Sequence, residues 1–174
     1  TISKRPAPPY ITSTLQQAGS NYGGFSPQRT MAIAQRLYEG VDVAEGSVGL
    51  ITYMRTDSVN VSREAVAACR TFITEQIGPE FCPETPPVYR SRGGAQEAHE
   101  AIRPTDVTRT PESLKDRLEA SDLKLYTLIW KRFVASQMKP AELAIRTVQI
   151  EAVPPSAEAN RYVFHATASE VTFP

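Results

Sequence analysis

Tyr53 and Arg55 are the first pair of side chains whose types and spacing could do chemistry. They lie in the run Leu-Ile-Thr-Tyr-Met-Arg-Thr-Asp-Ser at residues 50–58. If this run is extended, side chains alternate between faces, so Ile51, Tyr53 and Arg55 point the same way. On a helix, Tyr53 and Arg55 would lie about 200° apart and could not share a ligand. A phenol can attack phosphorus and a guanidinium can hold two phosphate oxygens, so the run predicts a nucleophile and a cation directed at one phosphate.

A structural interpretation of the same run stays open. Tyrosine is enriched in strands, so Tyr53 could be a core strand residue and Arg55 a surface cation. Asp57 lies two residues further along the same face if the strand continues, and its carboxylate could orient Arg55. Residues elsewhere in the chain have to decide between the two interpretations.

A second polar run, Gln-Glu-Ala-His-Glu-Ala-Ile-Arg-Pro-Thr, occupies residues 96–105. Pro104 predicts the end of a short helix here. Such a helix places three polar groups on one flank: Gln96, Arg103, and either His99 or Glu100. A His-Glu-x-x-His zinc motif would need a histidine where Arg103 stands, so this run predicts no metal ligand.

An ordinary structural role is also open to this second run. His99 could be a hydrogen-bonded histidine. Arg103 could form an ion pair with Glu97 or Glu100. The run alone does not separate these roles from a functional one.

Two helices and a glycine turn precede the Tyr53 run. Ser13 and Gln16 fit a capping box, which predicts a short helix to about residue 20 that glycines then break. Ser26 caps the next helix, which runs to about residue 38. Its inward stripe has four members: Thr30, Ile33, Ala34 and Leu37. Its outward residues are Gln28, Arg29, Ala32, Gln35 and Arg36.

This order of short helix, turn and longer helix has the outline of a helix-turn-helix. Arginines on the outward face, Arg29 and Arg36, could contact DNA phosphates in such an arrangement. The same outline is also typical of an ordinary helical corner, so both interpretations stay open.

Two more helices are predicted after the Tyr53 run. Ser62 caps a helix to about residue 77, in which Cys69 packs as a small apolar side chain. Ser121 caps the longest helix, to about residue 138, and its wide apolar surface predicts a central core helix.

The remaining segments are predicted as loops and strands. Residues 41–49 read as an exposed loop and residues 79–94 as a long irregular connection. From residue 147 apolar and polar residues alternate, which predicts a two-stranded hairpin whose sheet partners we expect outside this chain. The proline-rich residues 1–10 are expected to be extended. The fold class is therefore mainly α with a small β part.

The length, charge balance and composition of the chain exclude several classes of protein. The chain has 174 residues, and its nineteen basic residues are balanced by nineteen acidic ones. A protein that coats nucleic acid without sequence preference would need an excess of basic residues. Any nucleic-acid contact of this chain must therefore be made by a local patch of basic residues. Cys69 and Cys82 form no zinc pattern and, without a secretory leader, indicate a reducing cytoplasm. No apolar run approaches the ~20 residues that span a membrane. We expect the chain to be part of a longer protein.

Three stretches together resemble bacterial type IA DNA topoisomerases. They are Pro-Tyr-Ile-Thr-Ser-Thr-Leu-Gln-Gln at residues 9–17, the run at residues 50–58, and Glu-Ala-His-Glu-Ala-Ile-Arg-Pro-Thr at residues 97–105. The resemblance extends from about Lys4 to the end of the chain. It implies that Tyr53 is the active-site tyrosine and Arg55 its neighbouring arginine. It also implies that His99 and Arg103 assist DNA binding or cleavage.

The resemblance implies a domain organisation as well. Residues 9–141 would form a helical domain that carries the tyrosine and is related to helix-turn-helix proteins. Residues 1–8 would be a linker or arm. Residues 142–174 would belong to a β-rich arch that joins this domain to the rest of the enzyme.

The chemistry implied by the resemblance is transesterification on single-stranded DNA. Tyr53 would attack a phosphodiester, release a 3′ hydroxyl and stay joined to the 5′ phosphate, so that resealing relaxes negatively supercoiled DNA without ATP. The family binds Mg²⁺ through an Asp-x-Asp signature on a separate domain, and this chain contains no Asp-x-Asp. We therefore expect no metal in this chain, and no activity from it without the enzyme's remaining domains.

Two rival functions remain to be weighed against this one. A tyrosine recombinase or type IB enzyme also forms phosphotyrosine, but its His-x-x-Arg element precedes the tyrosine, whereas here Tyr53 precedes His99. A noncatalytic DNA-binding module would use the helix at residues 26–38. The candidate phosphate contacts are Arg29, Arg36, Arg55, Arg92 and Arg103.

Overall fold

A computed structural model of the chain describes residues 1–43, 46–90, 99–152 and 162–173. Within these ranges the α-helices are α1 (Thr12–Ala18), α2 (Pro27–Glu39), α3 (Arg63–Phe72) and α4 (Ala120–Ser136). Single π-helical segments continue α1 over Gly19–Gly23 and α3 over Ile73–Ile77, and a 3-10 helix follows at Pro79–Phe81. The strands are β1 (Ile2–Lys4), β2 (Val41–Val43), β3 (Gly46–Val48), β4 (Ala141–Ala152) and β5 (Tyr162–Phe173). This composition confirms the mainly α fold with a small β part.

The chain divides into two compact units. One consists of Thr1–Pro6 together with Pro140–Pro174, and the other of Ala7–Lys139. We refer to them as the β unit and the helical unit.

The β unit is a three-stranded antiparallel sheet in the order β1-β4-β5. Strands β4 and β5 pair from Ala152 opposite Tyr162 to Glu142 opposite Phe173, with a register shift next to Glu142. The predicted hairpin is therefore present, and its strands are longer than the alternation at residue 147 indicated. Its turn, residues 153–161, lies outside the described residues.

The third strand of this sheet comes from the N-terminal stretch predicted as an arm. Ile2 pairs with Leu143 and Lys4 with Ala141. We expected the hairpin's sheet partner outside this chain, and that expectation is wrong. The proline-rich composition concealed the strand, because Pro6 lacks the N–H that would continue the ladder but leaves residues 2–4 free to pair.

The core of the helical unit is built from α1, α2, α4 and the segments around residues 50–54 and 102. Leu15, Ile33, Leu37, Leu50 and Ile129 belong to one buried cluster. A second cluster under α3 contains Cys69, Ile73 and Phe133. Trp130 of α4 packs against both clusters, so α4 is the central helix that the sequence predicts.

Helix α2 follows the sequence prediction closely. The Ser26 hydroxyl accepts a hydrogen bond from Arg29 N over 3.2 Å, as expected of an N-cap. The buried residues of α2 are Thr30, Ile33, Ala34 and Leu37. Ser62 caps α3 in the same way by accepting from Ala65 N. These caps were predictable because each involves residues only three positions apart.

Other predicted caps are wrong. Helix α1 begins at Thr12, and its N-cap is Ile11, whose N–H donates to Thr14 Oγ1 over 3.0 Å. Ser13 lies within the helix and cannot form the predicted capping box. Helix α4 begins at Ala120, so Ser121 lies in its first turn rather than capping it.

Two predicted local structures also differ from the observed fold. Residues 41–49, predicted as a loop, contain the antiparallel pair β2 and β3, with Val41 opposite Val48. The predicted helix at residues 96–103 is not formed over residues 99–103, while residues 96–98 lie outside the described part. Ile102 and Pro104 instead form antiparallel bridges to Tyr10 and Ile51.

Candidate functional site

The three stretches singled out in the sequence meet in the helical unit. Thr52 N donates to Arg103 O over 2.9 Å, and Thr105 N donates to Leu50 O over 3.0 Å. Ile102 N donates to Tyr10 O over 2.8 Å. These bonds join residues 51, 55 and 92 positions apart in the chain, so the stretches form one structure around the Tyr53 run.

A threonine hydroxyl at each junction connects the segments further. Thr52 Oγ1 accepts from Arg103 N over 3.0 Å and donates to Ala101 O over 2.7 Å. Thr12 Oγ1 accepts from Thr56 N over 2.9 Å and lies 2.8 Å from Met54 O. The hydroxyls satisfy backbone groups that would otherwise be unpaired in a partly buried place.

Side chains alternate across the surface from residue 53 onward. Tyr53 is 46% exposed, and Arg55 and Asp57 are exposed as well. The intervening residues are buried: Met54, Thr56 and Ser58. The three polar residues of this run that could do chemistry, Tyr53, Arg55 and Asp57, are thus all exposed.

The sequence prediction for Ile51 is wrong, because this side chain is buried at 1% exposure and does not share the surface of Tyr53. Residues 52–58 do not form a regular strand, so strict alternation does not extend back to Ile51. The interpretation of Tyr53 as a core residue does not fit its exposure.

Tyr38, from the last turn of α2, contacts the Tyr53 ring. The ring centroids lie 5.4 Å apart with an interplanar angle of 65°, an edge-to-face arrangement. Gly49 permits the close return of the chain, because a Cβ there would lie 2.6 Å from Tyr38 O. Leu50 N then donates to Leu37 O over 2.7 Å. Sequence reasoning missed Tyr38, since nothing local links a helix end to a residue fifteen positions later.

Arg55 borders a cleft of about 540 Å³ that we call the signature cleft. Its lining includes Thr12, Ser13, Gln16, Arg55, Asp57 and His99. Three residues predicted from two separate stretches, Arg55, Asp57 and His99, are therefore brought to one concave surface. A cation, a carboxylate and an imidazole around a cleft are suited to hold a phosphate and to orient the group that holds it.

Arg103 does not line this cleft. It forms the ion pair with Glu100 that the sequence left open as a structural role. Its Nη2 lies 2.7 Å from Glu100 Oε2, its Nη1 donates to Pro104 O over 3.0 Å, and its side chain is only 12% exposed. Glu100 Oε1 accepts from Ser62 N over 2.7 Å, which ties the pair to the start of α3. Arg103 thus helps to hold residues 100–104 against the start of α3.

The two arginines predicted on the outward face of α2 also have intramolecular partners. Arg29 lies 5.1 Å from the centroid of the Phe25 ring. Arg36 forms a two-point ion pair with Asp122 of α4, with atoms 2.5 Å and 3.2 Å apart. The hydrogen bond with Asp122 raises the pKa of Arg36. Arg92, the remaining candidate phosphate contact, lies outside the described residues.

Two other groups with nucleophilic chemistry, the Cys69 thiol and the Tyr126 phenol, are buried. Burial raises the pKa of the Cys69 thiol to about 12, so it is not a thiolate at neutral pH. Burial also raises the pKa of Tyr126, whose hydroxyl donates to Arg109 O over 2.6 Å. Tyr53, in contrast, is 46% exposed.

The described residues contain no group of three or more His, Cys, Asp or Glu side chains arranged to hold a metal ion. The donor set of the signature cleft, with one carboxylate and one imidazole, does not fit a magnesium site. Among the helices that the structure describes, none has the length and apolarity to cross a membrane.

The chain matches a protein-family model described as DNA topoisomerase over residues 1–174. It is 46% identical over 171 residues to DNA topoisomerase 1 of Rickettsia felis, covering 98% of this chain and 21% of that protein. It is 50% identical over 170 residues to DNA topoisomerase 1 of Xylella fastidiosa, covering 97% of this chain and 20% of that protein.

A solved structure is similar as well. Full-length topoisomerase I from Thermotoga maritima has a TM-score of 0.78 and 41% sequence identity, covering 99% of this chain and 26% of that one. This chain spans about one fifth of the length of the curated relatives. The match over the whole chain, together with the three stretches that meet around Tyr53, means that the chain belongs to the bacterial type IA DNA topoisomerase family.

Proposed function

We propose that Tyr53 is the nucleophile of a reaction that cleaves and reseals one DNA strand in the full-length enzyme. The phenolic oxygen attacks a backbone phosphorus of single-stranded DNA, and the bond from phosphorus to the 3′ oxygen breaks. The 3′ oxygen takes up a proton and leaves as a hydroxyl, while the 5′ phosphate stays joined to Tyr53. One observation carries this proposal. Tyr53 and Arg55 are both exposed in the run at residues 50–58, and the other two stretches are hydrogen-bonded to that run.

Arg55 has an electrostatic role in this proposal. Negative charge grows on the phosphate oxygens as phosphorus becomes pentavalent, and a guanidinium can neutralise it through two hydrogen bonds. Asp57 and His99 line the same cleft as Arg55. We assign Asp57 to orienting Arg55 and His99 to contacting the bound strand. Arg29 and Arg36 can also contribute to phosphate binding. Each would do so through the guanidinium N–H groups that are not engaged with Phe25, in the case of Arg29, or with Asp122, in the case of Arg36.

Resealing follows as the reverse reaction. A phosphotyrosine ester retains the free energy of the broken phosphodiester, so attack by the 3′ hydroxyl restores the strand without ATP. Rotation or strand passage between the two steps relaxes negative supercoils. We propose cytoplasmic DNA as the substrate.

The rest of the enzyme completes the site in this proposal. We propose that acidic residues outside this chain bind Mg²⁺. The group that accepts the phenol proton is also assigned to the remaining domains. The isolated chain should then neither cleave DNA efficiently nor relax it.

The proposal is tested by Tyr53→Phe in the full-length enzyme. Incubation with an end-labelled single-stranded oligonucleotide, followed by denaturation, should give a covalent adduct with the parent and none with the variant. Noncovalent binding should be retained, because only the hydroxyl is removed. Tyr22→Phe is the matched control, since Tyr22 is 68% exposed and should leave the adduct unchanged.

The same experiment separates the rival functions. A 5′-linked adduct agrees with the proposal, whereas a 3′-linked adduct would identify tyrosine recombinase or type IB chemistry. If the parent binds DNA but forms no adduct, the outward face of α2 becomes the better candidate, as a noncatalytic DNA-binding surface.

A further inference from the structure

Arg55 also borders a second cleft, of about 530 Å³. Its lining includes Gln16, Pro27, Gln28, Met31, Gln35 and Arg55, and we call it the amide cleft. The volume lies within the roughly 300–1,000 Å³ that small-ligand sites occupy. Gln16 and Arg55 line the signature cleft as well, so the two clefts share a boundary.

Most of the hydrogen-bonding side chains in the amide cleft are uncharged. Of the described residues that line it, Arg55 alone is charged, and three are glutamines. Gln35 Nε2 donates to Glu39 Oε1 over 2.5 Å, which orients the Gln35 amide and leaves its carbonyl oxygen as the acceptor. Met31 and Pro27 supply apolar surface beside these amides.

This composition suits the base of a nucleotide better than its phosphate. A phosphate site needs several cations or backbone N–H groups, whereas a base presents a flat apolar face and an edge of donors and acceptors. Glutamine amides can donate to and accept from such an edge, and they pair with adenine in this way. Methionine adapts to a flat ring through its flexible thioether.

We propose that the amide cleft binds an unpaired nucleobase of the cleaved strand, within two nucleotides of the phosphate held at Arg55. The inference rests on the proposed function, because it takes Arg55 as the phosphate contact. It assigns Gln28 and Met31 as residues that set the preference for one base beside the cleavage point.

The experiment uses the full-length enzyme and a set of single-stranded oligonucleotides, each with one base near the cut replaced by an abasic residue. In the parent, removal of the base at one position within two nucleotides of the cut should lower adduct yield about five- to tenfold, as expected for one base contact. Gln28→Ala and Met31→Ala should each reduce this sensitivity to less than about twofold. Gln17→Ala is the matched control, because Gln17 is exposed on α1 and does not line the cleft.

Equilibrium binding in a Tyr53→Phe background provides a second measurement that does not depend on cleavage. The intact oligonucleotide should bind more tightly than the abasic one, and Gln28→Ala should remove the difference. The inference is overturned if removal of a base lowers adduct yield at no position near the cut. It is also overturned if Gln28→Ala keeps the parent's sensitivity to base removal, as the control Gln17→Ala is expected to do. Failure of the proposed function would look different, since the parent would then form no Tyr53 adduct at all.

Discussion

The edge-to-face contact between Tyr38 and Tyr53 gives the proposed nucleophile a fixed neighbour. Both rings are nearly half exposed, so few other groups restrict the Tyr53 side chain. An aromatic pair of this kind contributes about 0.5–1.5 kcal/mol beyond the area that it buries. That energy is enough to favour one Tyr53 rotamer, and it makes Tyr38 a positioning residue.

Substitution of Tyr38 tests this role in the full-length enzyme. Tyr38→Ala should slow adduct formation in single-turnover experiments by about two- to tenfold, the kinetic equivalent of losing an aromatic pair. Tyr38→Phe should keep the parent's rate, because the contact is between rings. Equal losses for alanine and phenylalanine would indicate that the Tyr38 hydroxyl, not the ring contact, matters.

Cys69 and Cys82 differ in their surroundings, and their reactivity should differ accordingly. The pKa of Cys69 is raised by burial from 9.0 to about 12, so its neutral form is favoured by folding. Stabilisation from the neutral thiol is complete below pH 9.0 and is lost as pH rises toward 12.

Alkylation with iodoacetamide at pH 8.5, read by mass spectrometry, should therefore label Cys82 at least about tenfold faster than Cys69. Cys82 is half-buried and provides the internal control. In urea both should react at similar rates. Rapid labelling of Cys69 in the folded protein would contradict its assignment as a core residue.

At the scale of elements, the hydrogen bonds of Thr52 hold the His99 segment against the Tyr53 run. Removing the hydroxyl leaves Arg103 N and Ala101 O without this partner in a partly buried place. Thr52→Val, which keeps the shape of the side chain, should lower the free energy of unfolding by about 1–3 kcal/mol.

Urea denaturation followed by circular dichroism measures this change. Thr74→Val is the control, because the Thr74 hydroxyl donates to Arg70 O on an exposed helix surface and should change stability by less than about 0.5 kcal/mol. If the two variants are equally stable, the threonine hydroxyl is not what joins the two segments.

The elements that could be predicted from sequence are those decided by local interactions. Ser26 caps α2 by accepting a hydrogen bond from an N–H only three residues later in the chain. The buried stripe from Thr30 to Leu37 follows from the helical period alone. The start of α1 could not be predicted in this way, because Thr12 bonds to Thr56 and Met54 far along the chain.

The segment around Ile102 was mispredicted as helix for the same reason. Its backbone pairs with Tyr10 and Leu50, and no local pattern indicates those partners. The sequence predicts a shared face for Tyr53, Arg55 and Asp57 if their segment is extended, but it leaves open whether Tyr53 is exposed or packed in the core. Its Tyr38 contact and the ion pairs of Arg36 and Arg103 depend on packing between distant elements, and periodicity carries no information about them.

Considered as a whole, the chain contains the proposed nucleophile Tyr53 and the cation Arg55, but its described residues include no group of side chains suited to hold a metal. The purified 174-residue chain should therefore leave negatively supercoiled plasmid unrelaxed in the presence of Mg²⁺, as judged by agarose gel electrophoresis. The full-length enzyme under the same conditions is the positive control. Relaxation by the chain alone would show that the remaining domains are dispensable for chemistry.

The pairing of Lys4 with Ala141 has a consequence for how this molecule can be rearranged. These residues are neighbours in the sheet, about 5 Å apart, although the whole helical unit separates them in the chain. The helical unit is thus an insertion between two adjacent strands, and its entry and exit lie at one point. Replacing residues 7–139 by a tight turn would make β1 and β4 an ordinary hairpin without altering their ladder. The helical unit could therefore be exchanged as a cassette while the sheet is retained.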